Sequence, residues 1–216
     1  MVTSARTRIA AWLRSMKSRG FIGPRYQGLS GKLRLLVQGF LIHTEIVSFA
    51  DAAWWKETVS VPDGCELIHL DSFEASIPYL PALNKAYGRD LSSEWKRYFG
   101  WGQTCALLTV KDEVAAFGWL QSGDLGAKCY YLQLQPGEFR AVREGVLPGF
   151  RGQGLYPVRH QLLLSSLFAR GASRVYIDAY EDNVPSWKGH KRAGYREFGR
   201  IRVFTPLGLV EYARWI

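Results

Sequence analysis

Eleven residues, Val146-Leu147-Pro148-Gly149-Phe150-Arg151-Gly152-Gln153-Gly154-Leu155-Tyr156, combine the residue types that hold a diphosphate. Gly149, Gly152 and Gly154 let the backbone turn tightly and leave its amides uncovered. Arg151 adds a fixed charge with a fork that fits phosphate oxygens. Upstream, alternating residues end in Val146 and Leu147; downstream, Leu155, Val158, Leu162, Leu163 and Leu167 recur at steps of three and four. That change of period predicts a strand passing into a helix. Pro148 has no N–H for a ladder and ends the strand. The first amides of a helix lack partners and sit at the positive end of its dipole, so anion binding is the chemistry such a turn could perform. A plain tight turn fits the same glycines.

The next segment extends the pattern. From Arg174 to Tyr180, Val175, Ile177 and Ala179 alternate with Tyr176, Asp178 and Tyr180, as in a strand. Asn183 is a good helix N-cap, Pro185 suits a first turn, and Gly194 can take the left-handed position past the helix end. The order is strand, anion-binding turn, helix, strand, short capped helix, and then the aromatic Tyr195.

In these residues the chain resembles the GNAT superfamily of acyl-CoA N-acyltransferases. Members carry Arg/Gln-x-x-Gly-x-Gly/Ala after Val-x-Pro; here Val146-Leu147-Pro148 precedes Arg151-Gly152-Gln153-Gly154-Leu155-Tyr156, with Tyr156 where a small residue is usual. A later family motif is matched by Asn183, Ser186, Arg192, Gly194 and Tyr195, while His190 stands where many members place a tyrosine general acid.

The resemblance covers roughly residues 65–216. It implies an α+β (mixed α/β) fold, a mixed and mostly antiparallel twisted sheet flanked by helices. It also implies acetyl-CoA or another acyl-CoA as co-substrate and transfer of the acyl group to a primary amine of a small molecule. Val146, Arg151, Gly152, Gln153, Gly154, Leu155 and Tyr156 would hold the co-substrate, two strands would splay at Val146 and Tyr176 to admit it, and Asn183 and Ser186 would complete the wall. His190, from its motif position, would protonate the thiolate.

Glu144, projecting from the strand that would hold the thioester, is the candidate base; a carboxylate paired with Arg140 or Arg143 fits that position equally. In this fold the acceptor pocket is formed by two early helices and the final hairpin. Here those offer Tyr87, Trp95, Tyr98, Phe99, Trp101 and residues 205–208, aromatic faces that suit an amino sugar of cell-envelope synthesis but also suit a core. Two other readings stay open: a same-fold protein that binds a partner without catalysis, and a transferase using aminoacyl-tRNA or acyl carrier protein.

Composition bounds the rest. The 216 residues are 47% hydrophobic and 22% charged, ordinary for a soluble globular protein. Cys65, Cys105 and Cys129 are odd in number and widely spaced, and His43, His69, His160 and His190 show no ligand spacing with them, so neither a disulfide framework nor a structural metal is expected. Such cysteines suit a reducing cytosol. Of the net charge of +9, Arg6, Arg8, Arg14, Lys17, Arg19, Arg25, Lys32 and Arg34 supply eight before the first acid, Glu45. The excess therefore belongs to the N-terminal stretch, with six of the eight charges in an arm, residues 1–29.

In that arm Ile9, Trp12, Leu13 and Met16 form a narrow apolar stripe between arginines, the pattern of a segment drawn to the inner face of an anionic membrane. A solvated or core-docked arm fits it too. Nucleic acid is a poorer match, because no reading motif accompanies the charge. Arg14, Lys17 and Arg19 interrupt any secretory core. Residues 30–64 read as a helix at Lys32–Leu41 and a strand near Glu45–Phe49, packed on a domain from 65 to 216. Within that domain a strand at Cys65–Asp71, helices at Phe73–Tyr87 and Leu91–Phe99, and a hairpin at Thr104–Thr109 and Val114–Trp119 are expected. Strands near Cys129–Gln133 and Phe139–Val146 then lead into the central turn, and a hairpin over Arg196–Phe204 and Leu209–Trp215 closes the chain. Nothing in the sequence fixes an oligomeric state, a dimer included.

Overall fold

A computed structural model describes residues 42–125, 131–204 and 212–216. The basic arm, the helix expected at Lys32–Leu41 and the turn at residues 205–208 lie outside the described residues. Among the described residues, alternating or continuous apolar runs build eight strands: β1 (Ile42–Asp51), β2 (Cys65–Leu70), β3 (Thr104–Val110), β4 (Glu113–Ser122), β5 (Glu138–Val146), β6 (Arg174–Tyr180), β7 (Arg196–Phe204) and β8 (Tyr212–Trp215). They form one sheet in the order β2-β3-β4-β5-β6-β1-β7-β8. Every neighbouring pair is antiparallel except β5 and β6, which run parallel. A parallel pair needs a crossover, and the turn at 146–156 with its helix α4 (Leu155–Ala169) provides it.

The strand expected near Glu45–Phe49 forms as β1, but inside the sheet. It pairs with β6 from Glu45↔Tyr180 to Asp51↔Arg174, and with β7 from Ile42↔Phe204 to Phe49↔Arg196. A boundary at residue 65 would therefore cut the sheet: β6 and β7 are neighbours in sequence, yet their hydrogen bonds go to β1. The single helix expected over Phe73–Tyr87 is broken into α1 (Phe73–Ser76), a 3-10 turn at Ile77–Tyr79 and α2 (Leu80–Tyr87). Pro78 and Pro81 withhold the N–H groups a continuous helix would need. Of the strand expected near Cys129–Gln133, residues 129–130 lie outside the described residues, and 131–133 form only an isolated bridge at Gln133.

Both faces of the sheet are covered. On one face Leu163, Leu164 and Leu167 of α4 pack on Val175 and Ile177. On the other, α2 and α3 (Ser92–Gly100) cover Leu107, Phe117 and Trp119. Trp95, Tyr98 and Phe99 each place a ring centroid within 4.8–5.0 Å of that of Trp119. No helix among the described residues is long and apolar enough to cross a membrane.

Candidate active site

The site begins where β5 and β6 part. They pair only from Glu138↔Arg174 to Ala141↔Ile177, and beyond that the edge of β5 has no partner on β6. Arg143 causes a break on the other edge. It sits at φ 50, a conformation uncommon outside glycine, and one residue of β4, Gly118, faces two of β5, Arg143 and Glu144. An extra residue of this kind bends and twists a strand. The result is a cleft of about 300 Å³ lined by Tyr87, Glu144, Gly145, Val146, Arg151, Tyr156, Pro185 and Ser186.

At its mouth lies the glycine turn. Gly152 and Gly154 have φ of 79 and 74, which other residues rarely adopt, and a Cβ at Gly149, Gly152 or Gly154 would meet nothing within 4 Å. Helix α4 starts at Gly154 without a side-chain cap and without an acid in its first turn, so its leading amides stay free. Arg151 is exposed and donates through Nε to the carbonyl of Val146 at 3.1 Å; Gln153 folds back onto the carbonyl of Gly149. Leu155 is buried beneath the turn. Ser186, in α5 (Val184–Arg192), lines the cleft. Asn183 heads that helix through its backbone, its side chain making no cap bond, and does not line the cleft.

Behind the cleft is a buried polar cluster. Arg159, wholly buried, donates both Nη1 and Nη2 to Oε1 of Glu144 at 2.9 Å. The hydroxyl of Tyr156 donates to Oε2 at 2.8 Å and lies 2.8 Å from Nε2 of His190. Nε2 of His160 stands 2.9 Å from the same Oε2, poorly aligned, while its Nδ1 is 3.3 Å from the hydroxyl of Tyr195. One set of protons fits: since Tyr156 gives its only proton to Glu144, His190 must carry a proton on Nε2, and His160 likewise faces the carboxylate with an N–H.

This cluster argues against both catalytic assignments made from the sequence. Burial alone would raise the Glu144 carboxyl, but the charges of His160 and Arg159 pull it down to about 2. The His160 share requires an imidazolium, which burial disfavours; the Arg159 share persists at every pH. A carboxylate so held, with four donors around it, is a poor base. Its partner is neither Arg140, which pairs with Asp178 at 2.6 Å, nor Arg143, which bonds Gln103 and lies over the ring of Tyr98. His190 is 1% exposed, and burial pushes its imidazole down to about 3. At neutral pH it has no acidic proton to give.

Glu144, His160 and His190 bring their ligand atoms within 4.8 Å of one another, so by type and distance they could hold a cation, a grouping the sequence spacing gave no hint of. The guanidinium of Arg159 already balances the carboxylate. Of the expected acceptor residues that are described, Tyr87 alone lines the cleft. Trp95 and Tyr98 are core residues at 2% and 7% exposure, and Trp101 is 58% exposed on the surface beside Arg97.

Tyr156, where a small residue was expected, fits because of Gly189. A Cβ at Gly189 would stand 2.6 Å from Cδ1 of the tyrosine ring. Gly189→Ala is accordingly expected to displace that ring and to lower stability by about 1–3 kcal/mol, as overpacking does. Urea denaturation checks this, and an unchanged midpoint would show that the ring has room to move.

Sequence comparison finds no matching family model and no matching curated protein. Structural comparison does find relatives of the fold. A GNAT-family acetyltransferase from Colwellia psychrerythraea superposes with a TM-score of 0.54 at 15% identity, over 82% of this chain and 61% of that one. The chain has the GNAT fold. A GCN5-related N-acetyltransferase from Sphaerobacter thermophilus gives 0.50 at 16% identity, over 81% of this chain and 55% of that one. Aminoglycoside acetyltransferase AAC(6')-Ib, solved with paromomycin and acetyl-CoA, gives 0.52 at 14% identity, over 70% and 92%. The chain thus spans less than two thirds of the length of the first two proteins named. On this GNAT fold the free N-terminus of α4 and the splayed strands open into one cleft.

Proposed function

We propose that the chain is an acyl-CoA-dependent N-acyltransferase that moves an acyl group, acetyl in the simplest case, to a primary amine of a small molecule. The observation that carries this reading is the uncapped, acid-free N-terminus of α4, floored by glycines open to solvent, at the mouth of the cleft between β5 and β6. These residues suit a diphosphate-bearing thioester. The amides at Leu155 and Tyr156 would face the diphosphate, Arg151 would turn from Val146 to the phosphate oxygens, and the unpaired edge of β5 would take the amide-bearing arm much as a sheet edge takes a strand. When bound, the thioester supplies an activated acyl carbon, and the chain's own task is to orient it and manage protons.

Calorimetry of the full chain with acetyl-CoA tests the reading. Wild type is expected to bind, and Arg151→Ala to bind about 10- to 100-fold more weakly, the worth of a hydrogen bond to a charged group. Absence of binding by the wild type would refute the proposal. Thiol release measured against a panel of amines, amino sugars first, then addresses the acceptor. One observation favours a second reading, a protein of this fold that binds the thioester without turnover: Glu144 and His190 are both locked in the buried cluster. Binding with no thiol release from any amine would support it.

A further inference from the structure

We infer that the hydroxyl of Tyr87 is the proton donor to the departing thiolate, an assignment that rests on the acyl-CoA reading of the cleft. Among the described residues, three that bear hydroxyls line that cleft, Tyr87, Tyr156 and Ser186. The Tyr156 hydroxyl is committed, since it donates to Glu144 and faces an N–H of His190. Tyr87 comes from the opposite wall, the last residue of α2, and its hydroxyl has no hydrogen-bond partner among the described residues.

Two local features aim it at the strand. Gly145 lies between Glu144 and Val146 on the splayed edge, and a Cβ there would stand 2.8 Å from Oη of Tyr87. Only glycine lets the hydroxyl come this close to β5. The mount is also rigid: the Tyr87 ring meets Phe117 edge-on at 5.8 Å, and Gly88 closes α2 at φ 63, donating its N–H to the carbonyls of Asn84 and Lys85. Burial pushes the phenol up, against the pull of Arg151 and Arg89, so it carries its proton across the neutral range.

The step balances without a further reagent. The amine nitrogen forms a bond to the acyl carbon, the carbon–sulfur bond breaks, and the electron pair stays on sulfur. Tyr87 gives its proton to that sulfur, and its phenolate then takes the proton the new amide nitrogen must shed. Amine and thioester become amide and thiol.

Binding of coenzyme A and of desulfo-coenzyme A to the full chain, measured by calorimetry for wild type and Tyr87→Phe, reads the contact apart from turnover. Wild type is expected to prefer coenzyme A by about 3- to 10-fold, the worth of one hydrogen bond. Tyr87→Phe should abolish that preference, keep the desulfo affinity, and slow thiol release from acetyl-CoA in the presence of an amine about 10²- to 10⁴-fold. Gly145→Ala, which crowds the hydroxyl, should slow release in the same direction; thermal midpoints confirm that both variants fold. Equal weakening of both ligands in Tyr87→Phe would make the residue a contact for the arm and overturn the inference, as would unchanged release. If wild type binds neither ligand, the acyl-CoA reading itself falls; if it binds both and the variant behaves identically, only Tyr87 does.

Discussion

Arg159→Met is expected to lower the stability of the chain by about 3–5 kcal/mol, the cost of leaving one member of a buried ion pair without the other. At roughly 2–4 °C per kcal/mol for a chain of this size, the thermal midpoint should fall by on the order of 10 °C. The reason is geometric. Glu144 is fixed by the bulge opposite Gly118, its side chain is only 8% exposed, and Arg159 gives it two of its hydrogen bonds at 2.9 Å. With methionine in place, that carboxylate must either stay charged in an apolar setting or take a proton, so the loss should be partly relieved at lower pH. Adding Glu144→Gln should recover part of it, since a neutral amide needs no counter-charge. Gly118→Ala attacks the same pair from the other side, because its Cβ would stand 1.7 Å from Nη2. Chemical denaturation of the two single variants and the double variant measures the coupling. A loss below about 1 kcal/mol in Arg159→Met would mean that water reaches Glu144, and the cluster would no longer qualify as buried.

How much of this the sequence could show depends on how local each feature is. The turn from Val146 to Tyr156 was readable because proline, glycine and the change from alternation to helical spacing act over a few residues. The strands at Arg174–Tyr180 and Arg196–Phe204 were readable for the same reason. The place of β1 was not, because a half-buried strand shows its faces by alternation while its partners are set by contacts more than a hundred residues away. The buried cluster left one trace that went unread. Tyr156, Arg159 and His160 fall at spacings of three and four on a largely buried helix, and polar groups on a buried face require partners. Nothing local identifies Glu144 as that partner, since alternation assumes an unbroken strand and Arg143 breaks it. Gly118, Gly145 and Gly189 were illegible for a related reason: each leaves room for a side chain from another element, and only the fold says which.

The same cluster should make the protein acid-sensitive in a window set by its histidines. In the unfolded chain His190 takes a proton near pH 6.5, whereas burial holds the folded imidazole neutral down to about 3. Above pH 6.5 both states are neutral and nothing is lost. As pH falls below 6.5 the unfolded state binds a proton that the folded state refuses, so stability drops by about 1.4 kcal/mol per pH unit, or about 2 kcal/mol by pH 5. His160, also shifted downward by burial, adds to the loss in the same direction. Glu144 acts later: the charge of Arg159 alone still holds its carboxyl below the ordinary 4.5, so the stability it contributes is lost only as pH falls below 4.5. The two windows can therefore be separated. His190→Gln keeps an N–H for the Tyr156 hydroxyl and removes the titrating ring, so its stability should fall less steeply than wild type between pH 6.5 and 5. The gap between the two curves should keep widening down to pH 4, because the folded imidazole of wild type stays neutral to about 3. Denaturation midpoints taken from pH 7.5 to 4 decide it: identical slopes above pH 5 would mean that His190 already meets solvent and gains its proton in the folded chain, and the closed proton arrangement around Tyr156 would have to be abandoned.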